Sequence, residues 1–296
     1  MGSWQSFFVE RILKLFKKEV DPDTFLAHKR KENESPYVLP PKLQRKYHII
    51  KLNSYSIDAY LMKSLSQSKE KQILYIPGGG YTEQPLFWHW RFLDKLTKKL
   101  NGTITVPIYP KAPNHQYQDS FESILPIYKD LLTKASPKDI VIMGDSAGGG
   151  LSLALSQLLL KERLPQPGNI ILLSPWLDVN LDHPEIPSLM KVEPMLDLKL
   201  LIASGKLYAG NTPTNNYLIS PINGPIRGLG KITLFIGTHE IFLPDARKLK
   251  ALAEQENVHI HYFEYPKMNH VFPVFPIPEA KRALQQIVDI INDKIK

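Results

Sequence analysis

The segment DIVIMGDSAGGG, Asp139 to Gly150, carries a strand of β-branched and apolar residues directly into Gly144, Asp145, Ser146, Ala147 and Gly148, and then into a helix-like stretch. This is the G-x-S-x-G pattern. Its sharp strand-to-helix turn holds a serine in a strained conformation and projects the hydroxyl above the sheet edge. Flanking glycines remove side chains that would collide in so tight a turn. Ser146 is therefore the candidate nucleophile. A Gly-rich turn of this kind can instead cradle a phosphate at a helix N-terminus. A Walker A loop would end in Gly-Lys-Ser/Thr, however, and a dinucleotide fingerprint would read G-x-G-x-x-G; neither is written here. A hydroxyl attacking a carbonyl creates an oxyanion, which requires preorganised N–H donors. ILYIPGGGY, Ile73 to Tyr81, places Gly78, Gly79 and Gly80 one residue after a strand, where their backbone can approach a substrate unobstructed. The N–H after the nucleophile, that of Ala147, is the other donor such an elbow uses.

With these two motifs the chain resembles the hormone-sensitive-lipase family of α/β-hydrolases, notably its small bacterial esterases. The resemblance extends from about Tyr47 to the C-terminus and includes IYPKAPNHQY (Ile108 to Tyr117), LLSPWLD (Leu172 to Asp178), ISPING (Ile219 to Gly224) and MNHVFPVF (Met268 to Phe275). It implies an α/β-hydrolase fold, an acyl-ester substrate and no cofactor. It also implies a helical cap from residues 1–45 and 179–229, and oxyanion donors at Gly79 and Gly80 with Gly78 shaping the turn. The family usually reads His-Gly-Gly-Gly, and this chain has Pro77 where that histidine braces the loop. The departure bears on loop geometry rather than on reaction class.

The fold's chain order of nucleophile, acid and histidine removes every histidine before Ser146. His183 falls in the insertion and His239 precedes the acid. His259 and His261 alternate along one face of a strand, where packing or exposure accounts for them; as a metal pair they lack a third ligand, so no metal is expected. His270, in a loop after the last strand, is the candidate base. GTHEIFLPDAR (Gly237 to Arg247) offers two acids. Glu240 sits just past a strand end, where the fold places its acid. Asp245 beside Pro244 has a structural explanation as a first-turn carboxylate offsetting the helix dipole. Glu240 is thus the expected third member, although its side chain is longer than the family's usual aspartate and is expected to hold His270 less tightly.

Phe87, Trp88, Trp90, Trp176, Met195, Leu196, Tyr208 and Phe272 are candidates for an apolar acyl pocket, with part of them expected in the core. Short- to medium-chain acyl esters are the expected substrates. A membrane-docked lipase and a catalytically weak, ligand-binding pseudo-hydrolase are the alternatives.

Strand-like and helix-like segments alternate after residue 46, the pattern of a mostly parallel sheet covered by helices. Strands are expected at Tyr47–Leu52, Ile57–Met62, Gln72–Ile76, Thr103–Ile108, Asp139–Met143, Asn169–Leu173, Lys231–Ile236 and Val258–Tyr262. Helices are expected at Leu86–Leu100, Tyr117–Thr133 with Pro126 disturbing its middle, Ala147–Arg163, Pro244–Gln255 and Pro278–Lys294. Alternation fails between Asp178 and Gly230, a stretch too long for an ordinary connection and so an insertion with its own short helices.

A hydrophobic share of 43% with 22% charged residues is that of a globular chain and excludes disorder. The absence of cysteine excludes disulfides and thiolate chemistry and suits a reducing, cytoplasmic setting. The net charge of +8 comes from dispersed lysines without a nucleic-acid-binding signature, so no nucleic-acid partner is expected. Trp4, Phe8, Ile12, Phe16 and Val20 draw one stripe on an N-terminal helix, with Arg11, Lys14, Lys17 and Lys18 on its polar side. No unbroken apolar run or cleavage site marks it as a signal peptide. Packing of the stripe on the protein body is expected, ahead of a membrane surface.

Overall fold

The structure, a computed structural model, describes residues 2–17, 20–63, 71–100 and 102–295; Lys18 lies outside them. Three helices lead the chain: α1 (Trp4–Phe16), α2 (Pro22–Glu32) and α3 (Pro41–Lys46). The body then alternates β1 (Ile50–Leu52), β2 (Ala59–Lys63), β3 (Lys71–Ile76), α4 (Phe87–Lys99), β4 (Gly102–Pro107), α5 (Tyr117–Lys134), β5 (Ile140–Asp145), α6 (Ser146–Lys161) and β6 (Asn169–Leu173). After β6 come α7 (Ile186–Leu189) and α8 (Leu198–Ala209), the helices expected within the insertion. The chain closes with β7 (Lys231–His239), α9 (Leu243–Gln255), β8 (Ile260–Asn269) and α10 (Pro278–Ile291).

The strands among the described residues form one eight-stranded sheet in the order β1-β2-β4-β3-β5-β6-β7-β8. β2 runs antiparallel to both its neighbours, and every pair from β4 to β8 is parallel. β5 and β6 are buried along their whole length, which is why Ile140–Met143 and Ile170–Leu173 read as continuous apolar runs instead of alternating ones. Helices cover both faces. Ile124, Leu151, Leu155 and Leu249 fill one layer, and Trp90, Phe92, Leu284 and Ile287 fill the other.

Three expectations change. α5 passes through Pro126 to Lys134 without breaking. β8 continues to Asn269, well past Tyr262. Pro266 interrupts the apolar pattern there, but β8 is an edge strand, where a missing N–H can face away from the sheet. The third change is the N-terminal stripe, which does not pack on the body: Trp4 is 75% exposed, Phe8 59% and Phe16 76%. α1 turns a different side inward. Val9 and Leu13 pack on the core, and Ser6 is buried.

Candidate active site

β3 and β5 are neighbours from which the chain leaves toward opposite edges of the sheet, β3 connecting to β4 and β5 to β6. Such a reversal opens a crevice beyond the carboxyl ends of the strands, where ligands bind in open α/β sheets. The glycine loop leaves β3 there and Ser146 leaves β5. Ser146 has φ +53°, the left-handed region that a residue with a Cβ adopts only under constraint. Gly148 lets the turn close: a Cβ at that position would lie 2.1 Å from the carbonyl oxygen of Ile76.

Ser146 Oγ stands 2.9 Å from Nε2 of His270, and Nδ1 of His270 stands 2.8 Å from Oε2 of Glu240. All three residues are buried. The other carboxylate oxygen of Glu240 accepts from the Ser174 hydroxyl at 2.7 Å and from the Gly237 N–H at 2.7 Å. The longer side chain is therefore clamped, contrary to the looser hold expected of a glutamate. The Val271 N–H donates to Ser174 Oγ at 3.0 Å, tying the histidine loop to the same serine. Asp245 lies in the first turn of α9, with no contact to His270 given by any of its polar groups.

Gly79 and Gly80 adopt φ +118° and +58° at the rim of the crevice. Ala147 is second in α6, where a backbone N–H has no acceptor within the helix. The loop is fastened through Asp145, whose Oδ1 accepts from the Tyr75 hydroxyl at 2.6 Å and from the Gly78 N–H at 3.0 Å. Its Oδ2 meets His89 Nε2 at 3.2 Å. Because His89 Nδ1 accepts from the Leu86 N–H at 2.9 Å, the neutral ring carries its proton on Nε2 and donates to Asp145. Tyr109 adds a hydroxyl bond to the Pro77 carbonyl at 3.0 Å. With proline in place of the usual histidine, the loop is braced by Asp145, His89, Tyr75 and Tyr109.

A family described as having the alpha/beta hydrolase fold matches residues 73–274. An esterase of Acinetobacter venetianus is 32% identical over 226 residues, covering 75% of each chain. The chain belongs to the α/β-hydrolase family. An acetyl-hydrolase of Streptomyces hygroscopicus is 27% identical over 73% of each chain. A solved structure from Staphylococcus aureus, described as that of a candidate esterase, is 33% identical, with a TM-score of 0.87 over 93% of each chain. The resemblance drawn from the glycine loop and GDSAGG is borne out.

In this α/β-hydrolase, burial alone would lower the His270 pKa. The Glu240 hydrogen bond and the negative charges of Glu240, Glu193 and Asp145 outweigh it and raise the histidine above its ordinary 6.5. Glu193 was not apparent in the sequence. It is buried after α7, where its Oε1 accepts from the N–H groups of Met195 and Leu196 at 2.7 and 3.0 Å. Burial raises its own carboxyl above the usual range. If His270 acts as a base it must be neutral, so activity should fall as pH drops through its raised pKa. Glu193→Gln removes one of the charges that favour the cation. The acid limb of kcat/KM against pH is expected to move downward in this variant, with the plateau retained; an upward shift would contradict the electrostatic assignment.

A cavity of about 320 Å³ opens at Ser146 and His270. Val20 and Phe25 line it from the N-terminal segment, Met195, Leu196, Leu200 and Leu201 from the insertion, and Trp88, Val274 and Phe275 from the body. Of the expected pocket residues, Trp88, Met195 and Leu196 line it. Trp90, Trp176, Tyr208 and Phe272 are buried in the core, and Phe87 is exposed and does not line the cavity. Tyr208 of α8 stacks on Tyr81 beside the glycine loop with ring centroids 3.7 Å apart. Tyr81 stacks on Trp176, Trp176 on Phe242, and Phe242 meets the His270 ring edge-on at 5.0 Å. This continuous aromatic row joins the insertion to the histidine, and no local pattern in the sequence announces it.

Proposed function

We propose that the chain hydrolyses short- to medium-chain carboxylic esters through an acyl-enzyme on Ser146. The observation that carries the reading is the relay of Ser146, His270 and Glu240, with separations of 2.9 and 2.8 Å, at the floor of an apolar cavity. His270 Nε2 takes the proton of Ser146 Oγ as that oxygen attacks the ester carbonyl. Glu240 holds Nδ1–H and balances the imidazolium that forms. The N–H groups of Gly79, Gly80 and Ala147 bind the oxyanion. His270 then returns the proton to the leaving alcohol, and a water activated by the same nitrogen releases the acid and restores Ser146.

The relatives named as an esterase and an acetyl-hydrolase support this substrate class. Residues 1–45 and 179–229 act as the cap, since both contribute apolar side chains to the cavity above the serine. Its volume of about 320 Å³ lies at the small end of ligand pockets, roughly 300–1,000 Å³, which supports short acyl chains. The reaction needs no cofactor. A chain without cysteine suits the cytoplasm, and no described helix is long and apolar enough to cross a membrane.

A panel of p-nitrophenyl esters of graded length tests the reading. kcat/KM should peak between acetate and about octanoate and fall for longer acyl chains, as the cavity size implies. Flat, barely detectable rates along the series would contradict it.

A further inference from the structure

The amphipathic helix α1 is mounted with its apolar face outward. Polar ties hold its inner side. Ser3 at its N-cap donates through N–H and Oγ to the Glu279 carboxylate at 2.6 and 2.9 Å. Glu10 pairs with His239 at 3.0 Å, and Lys17 at its C-cap donates to the Glu193 carbonyl at 3.0 Å. The opposite side presents Trp4, Phe7, Phe8, Leu15 and Phe16 to solvent, with Leu15 82% exposed. Single exposed apolar residues are ordinary, but five on one helix of thirteen residues form a patch that needs a partner.

Charge selects that partner. Arg11 stands among these side chains, its guanidinium 5.2 Å from the centre of the Phe7 ring, and part-exposed Lys14, paired with Glu10 at 2.7 Å, flanks them. Residues 1–46 contain ten Lys and Arg against six Asp and Glu, half of the net +8 of the whole chain. Exposed aromatics interleaved with cations are the composition of a helix that lies in the plane of a lipid interface. The face also leads to the site, because Val20, four residues beyond Phe16, is both part-exposed and a wall of the cavity. We infer that α1 docks the protein on an anionic phospholipid surface, with the mouth of the cavity beside that surface. A second copy of the chain would bring the same cations against one another, which disfavours it as the occupant.

The inference builds on the proposed esterase function only in what the docked site would receive, and binding is read without turnover. The intact chain is sedimented with vesicles of phosphatidylcholine alone and of phosphatidylcholine with one third phosphatidylglycerol. Binding should be roughly tenfold or more tighter to the anionic vesicles and weaken with salt, each basic residue near the surface contributing about fivefold. The double variant Phe8→Ser, Leu15→Ser should lose about tenfold or more of this affinity while hydrolysing soluble p-nitrophenyl acetate at the unaltered rate, which also reports that it folds. Three results would overturn the inference: no binding to anionic vesicles, equal binding of the double variant, or a dimer at micromolar concentration that the double variant converts to monomer. Vesicle binding by a chain that cleaves no ester would refute the function and leave the docking face standing.

Discussion

Ser146→Ala is expected to lower ester turnover by about a million-fold while leaving the protein folded. The variant removes the attacking oxygen and nothing else of the site: the Gly79 and Gly80 loop is fastened through Asp145, and His270 keeps its bond to Glu240. What remains should be the rate supplied by binding and the oxyanion donors alone. The Ser146 hydroxyl caps no helix, Asp145 being the N-cap residue of α6, so the melting temperature should change little. A steady-state assay with p-nitrophenyl butyrate and a thermal melt decide the matter together. A variant that keeps a tenth of the activity would remove Ser146 from the chemistry.

Glu240→Gln is expected to cost roughly a hundred- to ten-thousand-fold in turnover, because an amide can present its NH₂ to Nδ1 and favour the wrong tautomer. Ser174 Oγ and the Gly237 N–H both donate to Oε1, so they hold the amide oxygen at that position and turn the NH₂ toward Nδ1. Asp245→Asn should leave activity near the unaltered level and change stability instead. Asp245 is 5% exposed, not a solvated first-turn carboxylate as its position beside Pro244 suggests. Burial, with the charge of Asp178 next in weight, lifts its pKa to about 7. A carboxyl whose folded pKa exceeds its unfolded one binds more protons in the native state between those values. Stability therefore falls as pH rises from about 4 to 7 and is flat above, by at most about 4 kcal/mol. The asparagine variant should be level with the unaltered protein or more stable at pH 8, and lose that advantage at pH 4. Thermal melts across this range check the sign, and an inactive Asp245→Asn with an active Glu240→Gln would exchange the two roles.

The elbow and the glycine loop can be read in the sequence because each is contiguous: a strand, a turn and a helix start carry the whole geometric requirement within a dozen residues. Glu240 follows from its position just past a strand end, and His270 from the chain order of the fold and the resemblance, which places a histidine in the loop after the last strand. What surrounds them does not, since Ser174 reaches Glu240 across 66 positions of sequence and His89 reaches Asp145 across 56. Glu193 looks like one more acid in an irregular insertion, and only folding brings it near His270. Periodicity told correctly that α1 is amphipathic. It cannot tell which side a helix turns inward when polar ties such as Glu10 with His239 outweigh apolar packing. Pro266 concealed the end of β8 for a related reason, as a proline stops a central strand and is tolerated at a sheet edge.

Ester hydrolysis through Ser146 requires its oxygen to be an activated nucleophile, and covalent capture tests that directly. The intact protein is treated with a fluorophosphonate, and the adduct is located by peptide mass spectrometry. The relay of Ser146, His270 and Glu240 predicts one phosphonyl group per chain, on the peptide containing Ser146, absent from Ser146→Ala and formed far more slowly in Glu240→Gln. A protein that hydrolyses esters but carries no adduct, or carries it on another residue, would remove Ser146 as the nucleophile.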